Sequence, residues 1–479
     1  MTTLHDRPRT APVAQPDPRP SIAQRYAAQA RARNWRADGL EFVGWVSMAV
    51  SVALFLADGG AAQFGTISDA FSSVGILAGL TSTNALLLML LLAARIPVID
   101  ATLGQPRATS LHAKLGQWVV IGLVIHTMFL IAGYAMSASA TWLAQFLYFW
   151  GATADFGWAV LGMVLFLVIS FTSVAAARKK LPYEVWHAIH LASYVAVGAS
   201  IPHMFSMSGL FATNAAARWY WIVLLALTGL ALLVFRLGIP LLSTLDSRLT
   251  VSRVTQVTPD VINIEVTGRR VADLGARAGQ YFHWRFLAPG LWWHQHPFSI
   301  SAAPTANTLR ITVRNLGKGT AALMNVRPGT LVAIEGPYGT FSDAARTTPE
   351  VVMIGAGVGI APIRALLEET AIIPGRAAVV LRASRPEELY LLHEITELCR
   401  RRGAALITLV GPRARIDLQG TTRWVPQHQA NLSLTQIAPY LAEADVFVCG
   451  PDGFTDAVIA DLKGHGVPDS RIHEERFVW

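Results

Sequence analysis

Four histidines lie in two long apolar stretches of the chain, at spacings that suit metal ligation. His112 and His126 are 14 residues apart, so on a helix they share a face and stand about 20 Å apart along the axis. His190 and His203 lie at similar depths in a second stretch that runs in the same direction. Imidazole is a common axial ligand of haem iron, and polar residues inside apolar spans are rarely without function. The pattern therefore predicts two stacked haems held between two helices.

Two features depart from this pattern. The 13-residue spacing turns His203 about 140° away from His190 on an ideal helix, a mismatch that distortion at Gly198 and Pro202 would correct. His187, one turn before His190, is a second candidate for the inner ligand, although depth favours His190. For each position the alternative is a histidine that only hydrogen-bonds a neighbouring helix.

A second group of candidate residues begins with the segment His296-Pro297-Phe298-Ser299-Ile300, which follows an aromatic-rich stretch. A flavin needs an aromatic face and a hydroxyl or amide donor near N5, which Phe298 and Ser299 offer. Its pyrophosphate needs positive groups or free N–H donors, which His296 and Arg314 offer. The small residues of the turn Gly317–Thr320 let backbone N–H groups approach a phosphate.

A glycine-rich loop with Gly355, Gly357 and Gly359 follows an apolar strand and opens a helix with Pro362 in its first turn. Such a helix start points N–H groups at an anion. The loop departs from the dinucleotide fingerprint, because Ile360 occupies the third glycine position.

Two strand ends beyond this loop carry further candidates. Arg382, with Ser384 and Arg385 after it, ends the next strand, where an adenosine 2′-phosphate would be paired; a solvated surface charge is the alternative for Arg385. Cys449-Gly450-Pro451 ends a later strand, where open α/β sheets place ligands. A buried small side chain is the alternative for Cys449.

The composition shows that these residues belong to a membrane protein. Of 479 residues, 53% are hydrophobic and only 15% charged, against roughly 25% charged in a soluble domain. Six stretches are near the roughly 20 residues that a bilayer core requires; they centre on residues 42–60, 74–94, 115–136, 156–177, 185–205 and 219–235. The only cysteines, Cys399 and Cys449, exclude a disulfide scaffold and a protein-held iron–sulfur cluster.

Charge placement predicts the orientation. The formal net charge is +8, and seven arginines lie in residues 1–38. Most other lysines and arginines of the membrane half lie in alternate loops between the apolar stretches. This placement fits membrane orientation rather than nucleic-acid binding, and it puts both termini in the cytoplasm.

The remaining pattern divides the chain into four parts. Residues 1–40 are expected to be a disordered basic cytoplasmic tail, and residues 41–240 a six-helix transmembrane bundle. Short alternating strands over residues 246–345 predict a small antiparallel β-barrel. Strands alternating with helices over residues 348–479 predict an α/β domain with a parallel sheet.

In the order of its motifs the chain resembles the membrane flavocytochromes of the NADPH oxidase and ferric reductase superfamily. The motifs are the paired membrane histidines, His-Pro-Phe-Ser, Arg314 with Gly317–Thr320, Gly-Pro-Tyr-Gly at 336–339, the loop 355–362, Cys449-Gly450-Pro451 and a terminal aromatic. The resemblance covers residues 41–479. It implies FAD on the barrel, NADPH on the α/β domain, with NADH possible, and two b-type haems between the third and fifth spans.

The resemblance also implies roles for single residues. His112 and His190 would hold the inner haem, and His126 and His203 the outer one. Ser299 and Phe298 would contact the flavin ring, and Cys449 would lie beside the nicotinamide. Trp479 would cover the flavin and move for the nicotinamide, although Phe477 is a second candidate and packing on the sheet a third possibility.

The expected function is transmembrane electron transfer in the cell membrane, from cytoplasmic NADPH to ferric iron or oxygen on the far side. The superfamily's oxidases carry an arginine in the first span, whereas residues 42–57 contain no basic residue, which weakens the case for a dedicated superoxide generator. Two alternatives stay open: an electron-donating membrane subunit that serves an unidentified partner protein, and a haem-free transporter with histidine relays.

Overall fold

The computed structural model describes residues 19–174, 180–181, 183–207, 209–415 and 422–476. These residues form two compact units. One covers residues 34–242, and the other covers residues 243–476 together with residues 19–33.

The first unit is helical, and its long helices confirm the predicted multi-span architecture. Among the described residues, six helical stretches are long and apolar enough to cross a membrane: Ile22–Ala57, Ile67–Ala93, Arg107–Ser137, Phe156–Ser173, Val185–Ser206 and Ala215–Ser247. The helices are α1 (Arg19–Ala57), α2 (Ile67–Ala93), α3 (Pro97–Leu103), α4 (Gln105–Ser137), α5 (Trp142–Ala152), α6 (Phe156–Ser173), α7 (Tyr183–Ser206), α8 (Gly209–Thr213), α9 (Ala215–Ala231) and α10 (Ile239–Ser247). A π-helical segment, Leu232–Gly238, joins the last two.

A buried polar contact fixes α2 among its neighbours. The Asn84 amide donates to the Tyr220 hydroxyl at 2.7 Å and to the Ser47 carbonyl at 3.1 Å, so one side chain joins α1, α2 and α9. Asn84 is fully buried. In an apolar environment such contacts between helices specify which faces meet.

The predicted disordered tail is wrong from Arg19 onward, because α1 begins there. In the second unit, Tyr26 is fully buried, and its hydroxyl donates to Asp343 Oδ1 at 2.8 Å. The Arg346 guanidinium lies 4.5 Å from the centre of the Tyr26 ring. These contacts order a stretch whose composition alone predicts disorder. Residues 1–18 lie outside the described residues.

The second unit begins with two three-stranded antiparallel sheets, in the orders β1-β2-β5 and β4-β3-β6. The strands are β1 (Thr250–Thr258), β2 (Val261–Thr267), β3 (Tyr281–Phe286), β4 (His296–Ser299), β5 (Thr308–Arg314) and β6 (Val332–Tyr338), with the short helix α11 (Lys318–Leu323) after β5. Isolated bridges Thr250↔Leu331 and Ile300↔Ile311 link the sheets. Leu309, Ile311 and Val313 alternate with polar residues in β5, and all three are buried, as expected for side chains on one face of a strand.

A five-stranded parallel sheet follows, in the order β13-β12-β7-β8-β9, which confirms the predicted α/β domain. Its strands are β7 (Val351–Ala356), β8 (Ala377–Ala383), β9 (Ala405–Val410), β12 (Asp445–Gly450) and β13 (Ile472–Arg476), and β10 (Arg413–Arg415) pairs with β11 (Thr422–Pro426). The helices are α12 (Ile360–Glu369), α13 (Leu392–Arg402), α14 (Leu434–Ile437) and α15 (Asp452–Gly464). Near-continuous apolar runs in β7, β8 and β12 are typical of strands buried on both faces.

Candidate functional site

The two histidines of α4 are oriented by carbonyl groups of α2. His112 Nδ1 lies 3.2 Å from the Met89 carbonyl oxygen, and His126 Nδ1 lies 2.8 Å from that of Gly75. Because a carbonyl can only accept, each Nδ1 carries the proton, which leaves each Nε2 with a free lone pair. Histidines that ligate metals are commonly fixed in this way.

Gly79 allows α2 to approach His126. A Cβ at Gly79 would lie 2.4 Å from His126 Nδ1, closer than any real contact. The glycine therefore gives the imidazole its place against the helix backbone.

The structure brings His190 to His112. Their ring centres are 6.1 Å apart, and the ring planes are tilted by 55°. Trp186 stacks on His190 at 5.0 Å, which holds the orientation of that ring. A metal ion held between the two imidazoles would be compatible with this separation. This pairing supports His190 over His187 as the partner of His112.

His126 and His203 line one cavity within the membrane unit. The cavity has a volume of about 980 Å³ and is walled mainly by apolar side chains such as Leu130, Phe166 and Met204. This size is at the upper end for small-molecule sites. Pro202 lies inside α7, directly before His203. Among the described residues no three His, Cys, Asp or Glu side chains converge as a metal site, whereas a haem needs only two.

In the second unit, the predicted flavin segment and the glycine-rich loop face one cleft. Its walls are Phe298, Ser299, Thr312, Arg314 and Leu316 on one side and Val358, Ala361 and Pro362 on the other. Within the described part of the chain, Ser299 Oγ and His296 Nε2 are buried and have no hydrogen-bond partner. Buried polar atoms are nearly always paired, so both fit contacts to a bound polar group.

His296 is neutral in this environment. Burial lowers its pKa to about 4, and nearby His294 contributes in the same direction. Its ring stacks on Phe298 with 5.6 Å between centres and packs against Gly319, where a Cβ would lie 3.2 Å from His296 Cε1. His296 therefore offers a phosphate a hydrogen bond rather than a positive charge.

Arg314 and the turn after it have partners that sequence reasoning missed. Arg314 is the last residue of β5 and lines the cleft. Its Nε donates to Asp260 Oδ2 at 3.0 Å. Thr320 Oγ1 accepts from the N–H groups of Leu316 and Gly317 at 2.8 and 3.2 Å. The Thr320 hydroxyl thus holds the turn, and the N–H groups of Gly317 and of Leu316 before it are already bonded.

The glycine-rich loop connects β7 to α12 as predicted. Gly357 has φ +57, a conformation that side chains disfavour. A Cβ at Gly359 would lie 2.4 Å from the Cys449 carbonyl oxygen, so this glycine lets the loop pass directly over the end of β12. Ile360, which replaces the third glycine of the dinucleotide fingerprint, is fully buried. The domain core therefore has room for its side chain.

The contacts of Arg382 argue against its predicted role at a 2′-phosphate. Arg382 is buried, and its guanidinium donates to the carbonyls of Trp424 and Gly411 at 2.7 Å each and to that of Ala383. Arg385 is exposed at the same strand end and pairs with Glu388 at 3.0 Å, while the Ser384 N–H donates to Glu388 Oε2. Arg385 is therefore an exposed cation at this strand end.

Cys449 is fully buried, and burial raises the pKa of its thiol well above the ordinary value. This placement fits the alternative of a buried small side chain, and a role beside the nicotinamide stays a prediction. Trp479 and Phe477 lie outside the described residues.

Glu475 is a candidate that sequence reasoning missed. It lies opposite Cys449 in the β12–β13 pairing, and burial raises its pKa to about 8, with a smaller contribution from Glu474. Groups with strongly shifted pKa values concentrate at functional sites. The only signal in the sequence was a pair of glutamates in a strand near the chain end.

Three family models match the chain. Residues 78–201 match a ferric reductase-like transmembrane component, residues 247–342 an FAD-binding domain and residues 353–459 an oxidoreductase NAD-binding domain. The soluble matches fall on the two sheets and the α/β domain that form the cleft.

Two curated relatives each match less than half of this chain. A flavohemoprotein of Xylella fastidiosa is 28% identical over 211 residues, 42% of this chain and 51% of its own length. The reductase component of a propane 2-monooxygenase from Rhodococcus jostii is 26% identical over 242 residues, 48% of this chain and 64% of its own. The chain thus spans about half to two thirds of the length of these relatives. The FAD/NAD-binding domain of a nitric oxide dioxygenase from Vibrio cholerae has 24% identity and a TM-score of 0.40, covering 48% of this chain and 99% of that one.

Proposed function

We propose that the chain, from its three matched domains, is a transmembrane NAD(P)H-dependent oxidoreductase of the ferric reductase and NADPH oxidase superfamily. It would take electrons from NADPH, or NADH, on the cytoplasmic side of the cell membrane and deliver them to an acceptor on the far side. Residues 41–240 would hold two b-type haems, residues 246–345 FAD, and residues 348–479 the nicotinamide nucleotide. FAD bound there would supply the chemistry that links two-electron hydride acceptance to one-electron release.

The orientation of the α4 histidines carries this proposal. Met89 and Gly75 are 14 residues apart on α2, and His112 and His126 are 14 residues apart on α4. The two antiparallel helices therefore make the same histidine–carbonyl contact at two depths. Each histidine–carbonyl contact leaves an Nε2 lone pair for a metal. His190 beside His112, and His203 in the cavity with His126, supply the second ligand at each depth.

The cleft residues bind and orient the flavin. The Phe298 ring forms part of the wall, and Ser299 Oγ offers a hydroxyl hydrogen bond. The neutral His296 and the charged Arg314 bind the pyrophosphate, the first by a hydrogen bond and the second by charge.

The glycine-rich loop and the next strand end orient the nucleotide. Gly355, Gly357 and Gly359 keep the loop free of side chains, and α12 starts at its end with Pro362 in the first turn. Ser384 and Arg385 would contact the adenosine end, and Gly450 and Pro451 border the nicotinamide at the end of β12. With a pKa of about 8, Glu475 holds its proton at pH 7 beside that strand end.

The acceptor would be ferric iron or oxygen. Residues 42–57 contain no basic residue. The first span therefore lacks the arginine expected of a dedicated superoxide generator, which favours an acceptor other than oxygen. With six candidate spans among the described residues, both termini would lie on the side of the basic loops, which is the cytoplasm.

The decisive experiment is an anaerobic optical spectrum of the purified full chain before and after NADPH. We expect an oxidised flavin and haem spectrum and, after NADPH, bleached flavin with a reduced b-type band; stopped-flow mixing with ferric chelates and with oxygen then ranks the acceptors. His190→Ala should remove about half of the haem, and the matched variant His187→Ala should remove none. A colourless preparation would refute the proposal in favour of haem-free transport.

A further inference from the structure

Glu394, in the first turn of α13, accepts hydrogen bonds from two arginines on different elements. The Arg310 guanidinium, on β5, donates to both of its carboxylate oxygens at 3.2 and 3.0 Å. Arg364 Nε, on α12, donates to Glu394 Oε2 at 2.8 Å. One carboxylate therefore links the antiparallel-sheet part of the unit with the α/β part.

The contacts close into a ring. Arg364 also pairs with Glu368, and Glu368 Oε2 accepts from the Ala303 N–H at 2.6 Å. Arg310 donates back to the Ser301 carbonyl oxygen at 2.8 Å. Both ends of the network thus hold the segment 301–303, directly after the flavin-binding strand β4.

The ring joins the two walls of the cleft. Ser301 is two residues beyond Ser299 on one wall, and Arg364 is two residues beyond Pro362 on the other. The side chains of Arg310 and Arg364 are only 13% and 10% exposed, so their charges are weakly screened. Although burial acts to raise the pKa of Glu394, hydrogen bonds and charge from Arg310 and Arg364 hold that pKa below its usual value.

We propose that Arg310, Glu394 and Arg364 are positioning residues that set the distance between flavin and nicotinamide for hydride transfer. None of the three lines the cleft, so they act through the walls that they hold. Bidentate arginine–carboxylate pairs are suited to this role, because they fix orientation as well as distance. A misplacement of about 1 Å between reacting groups can cost on the order of a hundredfold in rate. This inference rests on the proposed function.

The test compares Glu394→Gln with Glu397→Gln in the full-length, cofactor-loaded protein. Glu397 is on the same helix, is 40% exposed, and pairs with Arg400 and Arg401 on its own helix. For Glu394→Gln we expect flavin reduction at saturating NADPH to slow at least tenfold, with unchanged FAD content. The primary isotope effect with NADPH deuterated at the transferred position should rise, because hydride transfer becomes limiting. Glu397→Gln should match the unmodified protein in both.

A second variant and a structural measurement complete the design. Arg310→Lys keeps the charge and loses the bidentate geometry, so it should show a smaller change in the same direction. Amide hydrogen exchange of residues 300–305 should accelerate in Glu394→Gln, because Arg310 and Glu368 then hold this segment less firmly.

Two results would overturn this inference, and a third would overturn the proposed function. Wild-type rates and isotope effects in both variants would overturn the inference. A loss of FAD or of thermal stability with an unchanged isotope effect would show that the network only stabilises the fold, and would also overturn it. Failure of the unmodified protein to reduce its flavin with NADPH would instead refute the proposed function.

Discussion

Gly359 offers a sharp test of the nucleotide loop. In Gly359→Ala the new methyl carbon would lie 2.4 Å from the Cys449 carbonyl oxygen, 2.6 Å from its carbonyl carbon and 2.8 Å from the Gly450 nitrogen. All three are backbone atoms of a central strand, so no side-chain rotation relieves the clash.

The size of the effect follows from these distances. Restoring ordinary contacts, at about 3.5 Å, requires the loop to move by about 1 Å from the end of β12. Overpacking of this kind costs about 1–3 kcal/mol. If the cost falls on the bound nucleotide, affinity drops by about five- to 150-fold.

The assay is a titration of the full chain with NADP⁺, in which binding is measured by calorimetry and by the flavin difference spectrum. Gly453→Ala is the matched control, because this glycine is exposed in α15 after the same strand and its added Cβ would meet nothing within 4 Å. We expect weaker NADP⁺ binding in Gly359→Ala and unchanged binding in the control. Equal affinities in the two variants would refute the assignment of this loop to the nucleotide.

Three further predictions follow from the described contacts. Tyr26→Phe removes a hydrogen bond to the Asp343 carboxylate and should destabilise the second unit by about 1.5–3 kcal/mol, seen as a lower temperature of FAD release. An unchanged temperature would show that α1 adds nothing to the stability of this unit. Arg382→Met should lower that temperature and weaken NADPH and NADH equally, because its guanidinium binds carbonyls; a selective loss of NADPH would restore the original 2′-phosphate role. Glu475, with its pKa raised to about 8, keeps a proton that the unfolded chain releases near pH 4.5, so stability should fall as pH rises between these values, by at most about 1.4 kcal/mol per pH unit. Glu475→Gln should flatten that slope in pH-dependent melting, and an unaltered slope would contradict the raised pKa.

Hydropathy, motif order and periodicity are local properties, and they were sufficient for the architecture. The six spans follow from apolar runs of bilayer length, and β5 follows from the alternation of Leu309, Ile311 and Val313. The glycine-rich loop between a strand and a helix was predictable in the same way, because a strand's carboxyl end and a helix's first turn both leave a signature in neighbouring residues.

Only the tertiary structure decided which partner each polar side chain takes. Arg382 ends a strand as predicted, yet carbonyls from β9 and β11 and the loop after β9 surround its guanidinium. His112 and His126 were visible as a pair, whereas the α2 carbonyls that orient them lie 23 and 51 residues away. Tyr26 and Asp343 are separated by 317 residues, and Arg310 and Glu394 by 84. Such contacts depend on how distant elements pack, and a hydrogen bond leaves no periodic trace in the sequence around either partner.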